Sequence, residues 1–440
     1  MTIVMVELSE FFFWLLSLNT TANQLVAPEE RGGGDDNGVI TNKCVDKERH
    51  ALLQFKANLH DPYGSLSRWR DDKDDCCQWR GVWCDSQTGH HVTGLDIPSA
   101  GLVGEISHSL VNLTYLNHLD LSYNSFHGTI PTFVGSLTRL TYLDLSNNSF
   151  YGTIPQEFGN LTNLQYLYLI DVGICRVENI EWLSHLSHLE ELEMDGISLA
   201  KANQWVMYPN SSFLNSSSSI SFLDVQNNNL NSSMHGWLFP LTSNKLRVLD
   251  LSGNMLDGIP KYLGNLCSLA FLNLNDNSAV VNFPDFLNNL SGCTSLALVG
   301  LHASHSQFTG SLPDDIHNFS SLSKLCLSDN HMNGTMTEKL WELPSLEKID
   351  LSQNHLSGAI SKNIGKSKAT FINLSKNPLQ GVPSTDHMSN LSYVEQLDLS
   401  SCKLGPHFPK WIQKLEILPV LTFPTLVFQT QFLQNFGACN

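Results

Sequence analysis

A solenoid of stacked α/β repeats is the fold this sequence predicts, with a parallel β-sheet on its concave face and a disulfide-stapled helical cap at its N-terminal end. Three observations predict it. A unit of about 24 residues returns between residues 91 and 412. At 440 residues the chain is too long for one ordinary hydrophobic core, while 42% apolar content is ample for a packed structure. Four cysteines, Cys44, Cys76, Cys77 and Cys84, cluster ahead of the first unit, and adjacent cysteines suit two separate disulfides better than one metal.

The repeat is legible residue by residue. From Leu113 the chain reads LTYLNHLDLSYNSFHGTIP, and from Leu137 it reads LTRLTYLDLSNNSFYGTIP, with Asn124 and Asn148 in the same place. The frame recurs at Val172, Ile197, Asn228, Asn254, Asn277, Ser306, Asn330, Asn354, Asn377 and Cys402, and an opening unit from Val92 carries Ala100 there. That makes about thirteen units, several of which carry the full pattern LxxLxxLxLxxNxLxGxIP, the signature of leucine-rich repeats. The LxLxx core alternates, so it predicts a short strand with leucines inward. The anchor asparagine is placed to bond backbone groups where the chain leaves the strand. Gly128 and Gly152 permit backbone angles that other residues resist, and Ile-Pro suits an extended, donor-free segment. The rest crosses the convex side as a short helix or turn. One unit cannot fold alone: ordering costs roughly 1–2 kcal/mol per residue, and each leucine returns only about 1.5–3 kcal/mol when walled on both sides. The wide steps from Ile197 to Asn228 and from Asn277 to Ser306 predict convex-side or edge insertions.

Ahead of the array, residues 1–27 are expected to be a signal peptide, carried by the apolar stretch Phe11 to Leu18, and 28–43 a polar linker. Gly32, Gly33 and Gly34 belong to that linker and are not a phosphate cradle. Residues 44–90 form the cap. ERHALLQFKANL spaces Ala51, Leu52, Phe55 and Leu59 on one helical face that would seal the first repeat, with Trp69, Trp79 and Trp83 adding bulk. After Trp411 the frame stops, and 413–440 read as a non-repeat apolar tail, interrupted by Pro419 and Pro424 and too short to span a bilayer.

A formal net charge of −17 would repel nucleic-acid phosphates and anionic lipid, so neither is an expected partner. Eleven Asn-x-Ser/Thr sequons follow the export segment: Asn112, Asn147, Asn160, Asn210, Asn215, Asn231, Asn289, Asn318, Asn333, Asn373 and Asn390. Their density fits a glycoprotein of the secretory pathway, although Asn- and Ser-rich sequence also makes sequons by chance.

No catalytic constellation is present: no HExxH, no GxSxG, no P-loop and no kinase signature, so an enzyme is not expected and no cofactor is called for. His90 and His91 beside the cysteines are read as two exposed histidines next to a disulfide pair. His185 and His188 near Glu190 and Glu191 are read as a solvated convex helix. Cys267 is expected to be a small core residue, while Cys175, Cys293, Cys326 and Cys402 fall inside repeats without an assigned role. The sharper signal is on the concave face. Stacking places Asp120, Asp144, Tyr168, Glu193, Asp224, Asp250 and Asn273 in one column about 4.8 Å apart, and His118, Tyr142, Tyr166 and Glu191 in the next. Tyr123 and Asp171 belong to a third. Tyr142, Tyr166 and Tyr168 should therefore cluster, with Glu190, Glu191, Glu193 and Asp195 alongside, and exposed aromatics beside charge are typical binding anchors. Against this stands the plainer reading that the LDLS aspartates serve the repeat's own structure.

The ALLQFK helix, the Trp69 segment, the Cys76-Cys77-x-Trp79-x-Gly81-Val82-x-Cys84 motif and the GxIP repeats together resemble plant leucine-rich-repeat receptor-like proteins. Val177 to Trp205 is similar to the clade that includes receptors for a fungal xylanase. The resemblance covers Cys44 to Ile412 and implies pairings Cys44–Cys76 and Cys77–Cys84. It also implies a cell-surface role: binding a protein or peptide ligand, microbial elicitors included, and signalling through partner receptor kinases when membrane-anchored. Family members usually continue with more repeats, a membrane span and a basic tail, so a truncated version is expected here. Two alternatives stand beside a receptor: a soluble inhibitor of a microbial wall-degrading enzyme, similar to polygalacturonase-inhibiting proteins, and a non-functional fragment.

Overall fold

The computed structural model describes residues 44–71, 75–199, 219–231, 244–380, 393–403 and 420–422. The export segment and linker, the sequons Asn210, Asn215 and Asn390, and most of the apolar tail lie outside the described residues.

The leucines at the inward repeat positions are almost wholly excluded from solvent, from Leu119 and Leu143 through Leu272 to Leu397. Each LxL core forms a strand of three residues, and these strands align in a 15-stranded sheet in sequence order. Its members are β1 (Val82–Asp85), β2 (His91–Asp96), β3 (His118–Asp120), β4 (Tyr142–Asp144), β5 (Tyr166–Tyr168), β6 (Glu191–Glu193), β7 (Phe222–Asp224), β8 (Val248–Asp250), β9 (Phe271–Asn273), β10 (Gly300–His302), β11 (Lys324–Cys326), β12 (Lys348–Asp350), β13 (Phe371–Asn373), β14 (Gln396–Asp398) and β15 (Val420–Thr422). All neighbours pair in parallel except β1 with β2. β15 pairs in register with β14, Val420 opposite Gln396, so the sheet continues into the tail that the sequence places outside the array. The leucines there, Leu415, Leu418 and Leu421, keep the repeat spacing that Pro419 and Pro424 obscure.

The anchor asparagines form a ladder. Asn148 Nδ2 donates to the carbonyls of Leu121, Leu145 and Ser146, while its Oδ1 accepts from the amide of Phe126 in the preceding unit. Asn254, Asn277, Asn330, Asn354 and Asn377 repeat the pattern. Ser306 Oγ reaches the Leu274 carbonyl at 2.6 Å, and Cys402 Sγ reaches the Leu374 carbonyl at 3.3 Å, so both substitutes keep a donor. Where the anchor is Val172 the backbone takes over: the Phe150 amide donates to the Val172 carbonyl. The residues that follow the anchors, such as Ser125–Gly128, Ser149–Thr153 and His331–Thr335, form short strands in two further sheets, and Pro131, Pro155, Pro260 and Pro313 each precede a short 3-10 helix. A proline costs nothing there because that amide has no partner to lose.

The insertion between Asn277 and Ser306 is helical: α2 (Phe283–Leu290) and α3 (Thr294–Ala297). Asn282 caps α2, and Phe283, Phe286, Leu287 and Leu290 bury one face. Cys293 is disulfide-bonded to Cys267, and Cys267 is exposed, so it is not the small core residue its repeat position suggests. Cys175, Cys326 and Cys402 are buried.

In the cap, the first helix, α1 (Asp46–Ala57), buries Ala51, Leu52 and Phe55. Leu59 lies beyond its end, in a two-residue strand that pairs with Val103–Gly104. Cys44–Cys76 and Cys77–Cys84 are the disulfides present. Trp69 and Trp79 are buried and stacked at 5.4 Å. Glu48, only 2% exposed, accepts from the Val92 amide and meets His91 Nδ1, both at 2.8 Å. His91 also stacks on Tyr115, so it ties the cap to the sheet and is not an exposed bystander. Trp83 departs from expectation too: it is 44% exposed and lies outside the cap core.

Candidate functional site on the concave sheet

The strand register brings the columns together as their spacing requires. His118, Tyr142, Tyr166 and Glu191 are consecutive partners across β3 to β6. Asp120, Asp144, Tyr168, Glu193, Asp224, Asp250 and Asn273 are consecutive partners across β3 to β9. The rings pack into a row. His118 stacks on Tyr142 at 4.2 Å, and Tyr142 lies 6.2 Å from Tyr166 and 5.5 Å from Tyr168. Trp83 extends the row, 4.5 Å from His118. Its signal in the sequence was its place in β1, whose alternation turns Val82 inward and Trp83 outward. Gly94 on β2 leaves the space: a Cβ there would stand 2.6 Å from the Trp83 ring. Tyr123 does not join the row. It sits in the left-handed turn after β3, at φ +53°, and stands 60% exposed on the rim.

Beyond the rings the face is acidic. Tyr168 Oη donates to Glu191 Oε2 at 2.6 Å. Burial, then the Glu191 charge, pushes the Tyr168 hydroxyl above its ordinary range, and burial does the same to Tyr142. Burial, then the surrounding carboxylates Glu191, Asp144, Asp250 and Asp195, pushes Glu193 up to about 8. Asp144 rises to about 6 for the same first reason, opposed by its bonds to Ser146. Glu191, Asp195, Asp224 and Asp250 are also raised, each chiefly by desolvation. His118 is held below its usual value by burial, and its Nε2 has no partner among the described residues.

The aspartates and the glutamates differ in kind. Asp120, Asp144 and Asp250 each accept from the amide two residues on, at Ser122, Ser146 and Ser252, and so shape the turn after their strands. The plainer reading of the LDLS aspartates therefore holds. Glu193 closes no such turn.

Elsewhere, His188 Nδ1 lies 2.9 Å from the Thr162 carbonyl. The three-residue ligand grouping among the described residues is Cys44, Cys76 and Cys77, whose sulfurs are taken up in disulfides. Asn160, Asn231, Asn318 and Asn333 are exposed, and Asn112 and Asn147 are half-buried. Asn289 and Asn373 each donate their side-chain nitrogen internally, to Ile259 O and Asp350 Oδ2. Among the described residues no helix is long and apolar enough to cross a membrane.

Comparison with known proteins agrees with this architecture. Residues 45–85 match the leucine-rich-repeat N-terminal domain, 94–245 a leucine-rich-repeat region, and 245–266, 345–367 and 393–415 single leucine-rich repeats. The chain belongs to the leucine-rich-repeat family, a class of non-enzymatic binding modules. Within it, the chain is similar to plant receptor-like proteins. Receptor-like protein EIX1 of Solanum lycopersicum is 33% identical over 66% of this chain and 34% of its own length, and Receptor-like protein EIX2 of the same plant is 32% identical over 73% and 36%. The chain thus spans about a third of the length of these relatives. The solved ectodomain of the plant membrane receptor kinase GASSHO1/SCHENGEN3 from Arabidopsis thaliana, in complex with CASPARIAN STRIP INTEGRITY FACTOR 2, superposes with a TM-score of 0.59 at 26% identity, covering 85% of this chain and 44% of that one.

Proposed function

We propose that this chain is an extracellular recognition module that binds a protein or peptide on the N-terminal half of its concave sheet, over Trp83, His118, Tyr142, Tyr166 and Tyr168. The row of rings fixed on a rigid sheet carries the reading. Ordered aromatic side chains give large contact area at little entropic cost, and they dominate binding energy where they cluster. The likeness to receptor-like proteins and to a receptor ectodomain solved with its partner supports it, as do the disulfides, which suit an oxidising compartment. The module would serve plant defence or development at the cell surface, passing its signal to a partner receptor kinase, with N-glycans at exposed sequons.

The test is a selection of random decapeptides displayed on phage against the immobilised chain. It is run in parallel on the variant Tyr142→Ala/Tyr166→Ala/Tyr168→Ala, whose folding is checked by circular dichroism. Peptides retained by the parent and lost by the folded triple variant support the reading. A selection that yields only peptides held equally by both would sink it.

A further inference from the structure

The feature that decides what the patch would take is a two-by-two square on adjacent strands. Tyr166 and Tyr168 stand on β5, opposite Glu191 and Glu193 on β6. Tyr142 closes one side from β4, and Phe222 and Asp224 close the other from β7. The Tyr168 hydroxyl holds one oxygen of Glu191 and leaves the other. Glu193 is half-buried among other carboxylates, and it has no hydrogen-bond or ion-pair partner among the described residues. Burial beside other carboxylates holds a proton on such a group, and a cation set next to it would favour the carboxylate instead.

No cation among the described residues is ion-paired with it. The outward strand positions from β4 to β8 are Tyr142, Asp144, Tyr166, Tyr168, Glu191, Glu193, Phe222, Asp224, Val248 and Asp250, without a lysine or arginine. Arg139, the nearby base ahead of β4, is turned away over the Tyr115 ring at 4.4 Å. A metal ion fits poorly, because no three carboxylates among the described residues bring oxygens within 4.8 Å of one another. Carboxylates two apart on one strand face are separated by roughly 6.6 Å, a gap that one planar, many-donor group can bridge. Rings on the adjacent strands offer a wall for an aliphatic stem.

Resting on the reading above, we infer that the square of Tyr166, Tyr168, Glu191 and Glu193 receives an arginine or lysine side chain of an extended peptide, stem against the tyrosines and cationic head between the two glutamates. The partner is thereby a basic segment of protein. Arginine suits the geometry better, since its fork can address both carboxylates at once.

The same phage selection tests this. Peptides lost on the triple tyrosine variant are resynthesised, and each arginine is replaced by citrulline, its uncharged near-isostere, or each lysine by norleucine. Binding is measured by isothermal titration in calcium-chelating buffer, against the parent chain, Glu193→Gln and the remote control Asp329→Asn. The expected result is a fixed basic residue, at least about tenfold weaker binding on its replacement and on Glu193→Gln, and no change for Asp329→Asn. Thermal melting keeps the comparison fair by showing that Glu193→Gln remains folded. Tyrosine-dependent peptides without a basic residue, peptides indifferent to Glu193→Gln, or binding that needs calcium would overturn the inference while leaving the proposed function standing. Selection of no tyrosine-dependent peptide would overturn both.

Discussion

Replacing Asn254 by alanine is expected to destabilise the array far more than an ordinary polar substitution. Asn254 is 2% exposed. Its Nδ2 donates to the carbonyls of Val225, Leu251 and Ser252, and its Oδ1 accepts from the amides of Asn228 and Leu230. Two of these five groups keep another bond after the change: Leu251 O still receives Asn277 Nδ2, and Ser252 O still receives the Asn227 amide. Val225 O, Asn228 N and Leu230 N are left without one among the described residues. A buried group stripped of its partner costs about 1–3 kcal/mol, so three of them, partly relaxed, give about 3–5 kcal/mol. Asn254→Ser keeps a short donor, as Ser306 does in its own unit, and is expected to cost about half as much. Urea unfolding followed by circular dichroism reads both. A loss below about 1 kcal/mol for alanine, or equal losses for alanine and serine, would refute the ladder as the source of the stability.

Three further outcomes follow from the structure. Replacing Cys267 and Cys293 by serine together is expected to cost about 3.5 kcal/mol, the chain-entropy value for the 26-residue separation they close, measured against the parent by chemical denaturation. Because the folded Glu193 titrates at about 8 and its ordinary value is 4.5, the folded state holds the extra proton between those values. The parent's stability then falls as pH rises from about 4.5 to about 8, and Glu193→Gln removes up to about 1.4 kcal/mol per pH unit of that slope; parallel slopes in thermal melts would contradict it. Trp83→Ala is expected to leave melting within about 1 kcal/mol of the parent, since the ring is 44% exposed, while weakening peptides that depend on the tyrosine row. A large stability loss would place Trp83 in the cap core after all.

The sequence made the columns legible because a strand period of two and a repeat of about 24 residues leave no freedom in which side chains become neighbours. Tyr142, Tyr166 and Tyr168 meet for that reason alone. What stayed hidden depends on departures from the period. Trp83 precedes the first full unit, and only the antiparallel β1 puts it at the head of the row. The Cys267–Cys293 bond needed the path of the insertion, since Cys293 enters α3 from a loop outside the frame. The separate fates of glutamates and aspartates were half visible: an aspartate two residues before a serine can fold back on its amide, and the longer Glu193 closes no such turn. Among the described residues, fourteen non-glycine residues have left-handed backbone, Tyr123 among them, and residue type could not assign them, because most sit one place before the anchor, where the turn imposes that angle on whatever residue is there.

The Cys267–Cys293 bond has a consequence for how the array comes apart. A linear stack unzips from its ends, each unit leaving once its neighbour has gone, because contacts run only between adjacent units. The disulfide joins Cys267, in the unit anchored at Asn277, to Cys293, in the insertion that leads to the unit anchored at Ser306, and Thr294 Oγ1 reinforces the join through the carbonyls of Leu263 and Leu266. Fraying from the C-terminal side therefore meets a covalent stop there. In hydrogen exchange, amides from β10 onward should open as one population, and those before the join, β5 and β6 among them, as a slower one, so the recognition surface is sheltered from loss of order at the far end.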